Sequence, residues 1–200
     1  MTQCDTGCGH GHAAFNGLSR LCRHAGLHRG GNGLSVAYRF LADGDIGIHD
    51  ERWLTYPWGV LGGETGMRST KRLVRADGTE EWLPAKVEGV KVKEGDILYF
   101  NTWGGGGWGD PFDRDPSLVL QDVDKRLVTR EGAKRYGVVI ADNGTVNAEA
   151  TDALRNELRT ARPPIEVFNR GGTIEELKAR CLEETHLPPP VSPSFVGGTA

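Results

Sequence analysis

Alternation of apolar and polar positions sets in at Leu34. The run LSVAYRFL, residues 34 to 41, is strand-like, with Val36, Tyr38 and Phe40 in step on one face. Ala42-Asp43-Gly44-Asp45 then reads as a turn. Tyr56-Pro57-Trp58-Gly59 and Gly62-Gly63 mark an irregular loop. Over Lys71 to Pro84 the arms KRLVRA and TEEWLP predict a hairpin across Asp77-Gly78, a pair favoured in tight turns. Between residues 85 and 102, Val87, Val90, Val92, Ile97, Leu98 and Phe100 supply β-favouring positions, broken by a turn at Glu94-Gly95-Asp96. The result is a small antiparallel β region with a modest core.

The period lengthens beyond residue 110. Asp115-Pro116 predicts a helix start, with the aspartate as N-cap and proline at the first helical position. Leu118, Val119, Val123 and Leu127 fall near one helical face. Thr129 to Arg135 reads as a second short helix ended by Gly137, and Val138-Val139-Ile140 as a short strand. A longer helix covers Asn147 to Arg162 and stops at Pro163-Pro164. Thr173 with Glu176 forms a capping-box pattern that opens a helix over Ile174 to Leu182. The expected fold class is α+β, an antiparallel β-rich N-terminal half followed by several short α-helices. The expected organisation is a Cys/His-rich leader over residues 1–24, one region over 25–186 (25–110 mainly β, 111–186 mainly α), and a proline-rich stretch over 187–200 that is either a tail or an arm ordered only against a partner.

Composition narrows the function classes. A length of 200 residues suits one domain, and a net charge of −3 without a basic patch gives nucleic acid nothing to bind. No apolar run approaches the roughly 20 residues a membrane helix needs, and the N-terminus lacks a secretory apolar core, so a cytoplasmic protein is expected. Glycine is abundant, at 29 residues, and clusters between strand-like runs as turn chemistry does. Cys4, Cys8 and Cys22 crowd the start while Cys181 stands far away, which is not the spread of a disulfide framework.

Several stretches carry candidate chemistry. The run Trp103 to Pro111 contains Gly-x-Gly-x-x-Gly at 104, 106 and 109 after a strand. A dinucleotide fingerprint must open a helix directly, and here Asp110-Pro111 intervenes. The plainer reading is a sharp connection that lets two backbones pass closely. Gly62 to Lys71 looks like a phosphate loop but lacks the Gly-Lys-Ser/Thr step, since Met67 and Arg68 follow Gly66. Cys4, Cys8, His10, His12, Cys22, His24 and His28 are zinc-ligand types, yet their spacings match no common finger, and an unstructured leader is the stronger reading. No Gly-x-Ser-x-Gly elbow occurs; Ser19, Ser35, Ser69 and Ser117 have no nucleophile context. His49 and Asp50 are sequence neighbours, which is not how a base meets its orienting group. Cys181 is expected as a small core or boundary residue, and Glu80-Glu81 and Glu183-Glu184 as solvated charge.

The stretch GGGGWGDPFDRDPSLVLQDVDKRLVTREGAKRYGVVI, residues 104 to 140, closely resembles the C-terminal signature of hydantoinase B/oxoprolinase subunits. That pattern runs from a glycine tetrad through an aromatic-Gly-Asp-Pro step and an Asp-Pro helix start to Tyr-Gly-Val-Val. RGGNGLSVAYRFLADG (29 to 44), PWGVLGG (57 to 63) and RADGTEEWLPAKVEGVKVKEGD (75 to 96) resemble the same family in the same order. The resemblance covers about Ala25 to Ile140, weakens beyond, and fails before Gly26.

The resemblance implies a B-type component that works with a hydantoinase A-like, ATP-binding partner in a hetero-oligomer. Such complexes open cyclic amides, and related ones carboxylate ketones. It implies ATP and a divalent metal in the complete complex, the metal polarising the oxygen under attack or activating water. The family's metal ligands belong to an N-terminal half that this sequence does not match, so no catalytic residue and no metal ligand is assigned here. The assigned signature loop is Gly104, Gly105, Gly106, Gly107, Trp108, Gly109, Asp110 and Pro111, its role left open. The expected function is a partial subunit, a truncated product or one piece of a split subunit, supplying scaffold and interface and inactive alone. A free-standing docking protein without catalytic activity, or a fragment of a ketone carboxylase, are the alternatives.

Overall fold

The computed structural model describes the backbone of residues 11–18 and 24–191, and the side chains of residues 24–191. A five-stranded antiparallel sheet carries β1 (Gly11–Leu18), β2 (Leu34–Phe40), β5 (Thr70–Val74), β6 (Glu80–Trp82) and β8 (Ile97–Asn101) in the order β1-β2-β8-β5-β6. Two further ribbons pair β3 (Gly44–His49) with β7 (Lys86–Val92), and β4 (Gly59–Val60) with β9 (Phe168–Asn169). Helices α1 (Pro116–Asp124), α2 (Ala148–Ala161), α3 (Ile174–Ala179) and α4 (Cys181–Thr185) follow the β half. This is the α+β arrangement the sequence predicts.

The hairpin of β5 and β6 forms as predicted, with Leu73 opposite Glu81. Gly78 takes a left-handed φ of 86°, and Arg75 N–H reaches Thr79 O at 2.8 Å, so three residues span the turn instead of two. β8 does not fold back on β7. It crosses into the large sheet between β2 and β5 while β7 stays on β3. Buried Asp96 holds that corner, accepting from Lys93 N–H at 3.0 Å and Ala76 N–H at 2.9 Å. The crossing lets the β3–β7 ribbon cover the large sheet, so Ile48 and Val92 bury against Leu73, Leu83 and Leu98. Phe40 lies at the edge of this core, while Tyr38, on the same strand face, stays exposed.

A second core joins the start of the β half to the helices: Ala25, Val119, Ala133, Tyr136 and Val138. Asp115 caps α1 by accepting from Ser117 N–H at 2.8 Å, Asn147 caps α2 through Ala150 N–H at 3.0 Å, and Thr173 and Glu176 form the capping box of α3.

Several sequence expectations are corrected. The helix expected over Thr129 to Arg135 is a 3-10 turn over Gly132–Tyr136, whose first N–H is taken by Thr129 Oγ1 at 2.9 Å. Val138-Val139-Ile140 joins no sheet, and Ile140 makes only an isolated antiparallel bridge with Val146. Val138 is buried among the helices, and Val139 N–H is donated to Thr151 Oγ1 at 3.1 Å instead of to a strand neighbour. Leu118 is 41% exposed because Val119 takes the inward position on α1. The last predicted helix divides at Arg180 into α3 and α4. A strand, β1, forms within the region expected as a structureless leader, and β3 lies where the sequence predicts only a turn. Residues 192–200 of the predicted tail lie outside the described residues.

Candidate functional site

The glycine-rich loop leaves β8 and runs between two other backbone segments, residues 24–33 and 57–64. Gly105 N–H donates to Gly31 O at 2.9 Å and Gly107 N–H to Glu64 O at 2.8 Å. Trp108 and His28 exchange both backbone bonds, at 3.0 and 2.9 Å, and Gly109 N–H reaches Val60 O at 2.8 Å. A side chain has no room here. A Cβ on Gly106 would stand 1.8 Å from Trp58 O, and one on Gly107 2.1 Å from Ala25 O. Gly104 and Gly109 also take left-handed φ values of 67° and 75°.

This geometry decides against the nucleotide reading. A phosphate cradle needs free N–H groups aimed at the ligand, and those of Gly105, Gly107, Trp108 and Gly109 are given to protein carbonyls. The Gly62 to Lys71 segment fails likewise. Gly63, Gly66, Met67 and Ser69 donate to Val60, Pro57, Trp103 and Arg52. Lys71 is fully buried in an ion pair with Asp50, its Nζ also 3.1 Å from Ser69 Oγ.

At the end of the loop, Asp110 and Pro111 open a 3-10 turn over Pro111–Asp113 that the sequence pattern does not announce. Asp110 accepts from Phe112 N–H at 2.9 Å and takes both ends of the Arg162 guanidinium, at 2.8 and 2.6 Å. Burial would raise the Asp110 pKa, but Arg162 and the Phe112 N–H outweigh it and hold the carboxyl below its usual range.

Other candidates disperse. His49 pairs with Glu88 on the surface, and its sequence neighbour Asp50 turns inward to Lys71. Cys181 is buried with its Sγ 3.6 Å from Thr185 Oγ1, the core role expected. Glu184 is not solvated charge: it accepts from Arg68 Nε at 2.5 Å and from Tyr56 OH. The side chains of Cys4, Cys8, His10, His12, Ser19 and Cys22 lie outside the described residues. His28 packs its ring on Trp108, centroids 5.3 Å apart, and His24 is buried. Among the described residues no group of three or more His, Cys, Asp or Glu is placed to hold a metal ion, and no helix is long and apolar enough to cross a membrane.

One surface stands out. Trp58, Leu61, Trp108, Ile165, Val167 and Phe168 are all exposed. They sit on adjoining backbone: β4 pairs with β9, Leu61 N–H donates to Val167 O at 2.8 Å, Val60 bridges Trp108, and the Trp58 and Phe168 rings meet edge-on at 5.7 Å. The loop tryptophans are visible in the sequence. Their union with residues 165–168 is not, because β9 carries no strand-like pattern of its own.

Residues 23–111 match the hydantoinase B/oxoprolinase family. That segment, somewhat under half of the chain, resembles the family. An uncharacterized protein of Methanocaldococcus jannaschii is 36% identical over 135 residues, which are 66% of this chain and 24% of that protein. The B component of a putative D-/L-hydantoinase from a Pseudomonas species is 33% identical over 133 residues, 65% of this chain and 22% of its own length. The crystal structure of the ATP-dependent caprolactamase from Pseudomonas jessenii superposes with a TM-score of 0.55 and 28% identity, covering 72% of this chain and 26% of that one. The chain therefore spans about a quarter of the length of these relatives.

Proposed function

We propose that residues 25–186 supply scaffold and subunit contacts to the B-type component of an ATP-dependent cyclic-amide hydrolase, and that this region does not perform the chemistry alone. The single observation that carries the reading is the apolar surface beside the glycine loop. A contiguous group of large apolar side chains is costly to leave in water and marks a contact surface. Here it is built on the segments that the family signature locks together, so the signature loop and the contact face are one construction. The loop fixes the backbone of Trp108 against His28 and Val60, and the Asp110–Arg162 pair ties the loop to the end of α2. The rigid surface so formed would meet the rest of a B-type component or its hydantoinase A-like, ATP-binding partner in a hetero-oligomer.

The chemistry would come from elsewhere in the complex. ATP would transfer its terminal phosphoryl group to the amide oxygen, releasing ADP and making the carbonyl carbon a better electrophile, and a divalent metal would polarise the oxygen under attack or activate water. Among the described residues no group of His, Cys, Asp or Glu fits that metal.

The deciding experiment mixes the purified chain with a tagged hydantoinase A-like subunit from the same source. Retention of the wild-type chain, lost in Trp58→Ser/Phe168→Ser, is expected, with no ATP-dependent hydantoin or lactam hydrolysis by the chain alone. Turnover by the chain free of other subunits would sink the proposal, as would retention that the double substitution leaves untouched.

A further inference from the structure

A cavity of about 450 Å³ opens between His24–Ala25 and the segment Leu127 to Tyr136, and none of the residues of the apolar surface described above lines it. Its size is that of a small-molecule site. His24 forms part of its lining, is 3% exposed, and has no hydrogen-bond partner for either ring nitrogen. Buried imidazoles ordinarily satisfy at least one. Burial, reinforced by Arg29, lowers the His24 pKa to about 4, so at neutral pH the ring offers one N–H and one lone pair. Tyr136 lies in the same wall at 2% exposure, and burial pushes its phenol up to about 12, so it keeps its proton.

The charge around the ring is one-sided. Arg29 and Arg114 both lean on the single carboxylate of Asp122, at 3.5 and 2.9 Å, and neither has a second carboxylate among the described residues. Arg114 Nε is itself buried without a partner. Two guanidiniums against one carboxylate leave a positive charge uncompensated. Arg29 and Arg114 stand outside the lining; Lys134, Arg135 and Glu131 are part of it, Lys134 paired with Glu131 at 3.2 Å and Arg135 with Glu64 at 2.8 Å. Leu127 and Val128 add apolar wall. An unsatisfied donor and an apolar wall in one space, with the uncompensated positive charge of the Arg29–Asp122–Arg114 group outside the lining, match an anion with a hydrocarbon body.

We propose that this cavity binds a small organic acid, its carboxylate meeting His24 N–H and its apolar part resting on Leu127 and Val128. The site stands on residues that the proposed subunit contact does not use, so either can fail without the other. Arg29 holds Asn32 and Asp122 in place and acts on the ligand only through its field, as a positioning residue.

The test uses benzoate and its neutral isostere benzamide on the full chain, read by isothermal titration and ligand-observed NMR. Saturable benzoate binding near ~1 mM is expected, a range ordinary for so small a ligand, with benzamide at least about tenfold weaker. His24→Phe keeps a flat aromatic ring, somewhat larger, with the cavity beside it to take the difference, and removes both unsatisfied nitrogens, so it should leave the melting temperature unchanged or higher while weakening benzoate about tenfold. Lys134→Glu, a change on the exposed rim, should weaken benzoate severalfold and leave benzamide unmoved. No saturable benzoate binding would overturn the proposal, as would equal binding of benzamide, or benzoate binding indifferent to His24→Phe in a folded protein.

Discussion

Arg162 grips Asp110 with both terminal nitrogens, at 2.8 and 2.6 Å, while the same carboxylate caps the turn that follows it through Phe112 N–H. One aspartate thus serves as the hinge pin between the glycine loop and the far end of α2. Arg162→Ala leaves that carboxylate nearly buried and unpaired. A loss of about 2–3 kcal/mol is expected in urea denaturation, and Arg162→Lys should recover only part, because an ammonium cannot reproduce the two-pronged contact. Asp110 has its pKa depressed in the fold, so its contribution is present above its ordinary value of 3.8 and is lost as pH falls through the lower folded value. Wild type and Arg162→Ala should therefore draw together in stability as pH falls below 3.8, and a gap that stays constant through acid denaturation would contradict the role.

Gly106 and Gly31 should respond oppositely to the same change. At Gly106 a methyl would meet the Trp58 carbonyl, a backbone atom that cannot swing away. Gly106→Ala is expected to cost about 3 kcal/mol or more. At Gly31 a methyl meets nothing within 4 Å, so Gly31→Ala should stay within about 0.5 kcal/mol of wild type or gain slightly through the unfolded chain. Thermal melts of the pair decide it: similar losses would mean the loop is not the tight three-backbone junction seen here.

Lys71 and Asp50 form a buried ion pair beside Ser69. Lys71→Met strands the carboxylate and should cost about 3–5 kcal/mol, whereas Lys71→Met/Asp50→Leu should recover most of it. Chemical denaturation of the single and double variants reads the coupling directly. A double variant no better than the single one would show that the pair is worth more than well-packed hydrocarbon.

His24 gives the fold an acid limit. Its folded pKa of about 4 lies below the ordinary 6.5. Between those values the unfolded chain takes up a proton that the folded chain refuses, so stability is full above pH 6.5 and falls as pH drops towards 4. The loss approaches about 3 kcal/mol. His24→Phe should flatten the melting temperature across that window, and an unchanged slope would place the titrating group elsewhere.

The exposed group around Trp108 should make the isolated chain self-associate as concentration rises. Light scattering should show this, and Trp58→Ser/Phe168→Ser should reduce it. A monodisperse wild-type monomer at high concentration would mean that the surface is content in water.

Local signals are legible in the sequence and distant ones are not. Asp77-Gly78, Asp115-Pro116, Asn147 and the Thr173/Glu176 pair each announce their turn or cap within four residues, and each is found. β3 is hidden because Ile46 and Ile48 alone mark its inward face, while Gly44 and Gly47 read as turn residues, too short an alternation to announce a strand. Val138-Val139-Ile140 misleads because an apolar run of three looks the same whether it joins a sheet or fills a helical core. Glu184 looks solvated in the sequence because its partner Arg68 lies 116 positions away. The glycine run is legible as a close crossing of backbones, but the cavity at His24 is not, since its two walls lie about a hundred residues apart in the chain.

The contact between His28 and Trp108 joins residues 80 apart, and Asn32 reaches Leu127 across 95. On a ribosome adding about 5–20 residues each second, the segment around His28 emerges several seconds before its partner exists. Through that interval Ala25 and the strand after it have neither the glycine run nor α1 to cover them. The junction is therefore a late event in biosynthesis, and any stall between those two codons leaves a nascent chain whose need for a chaperone outlasts that of its β5–β6 hairpin.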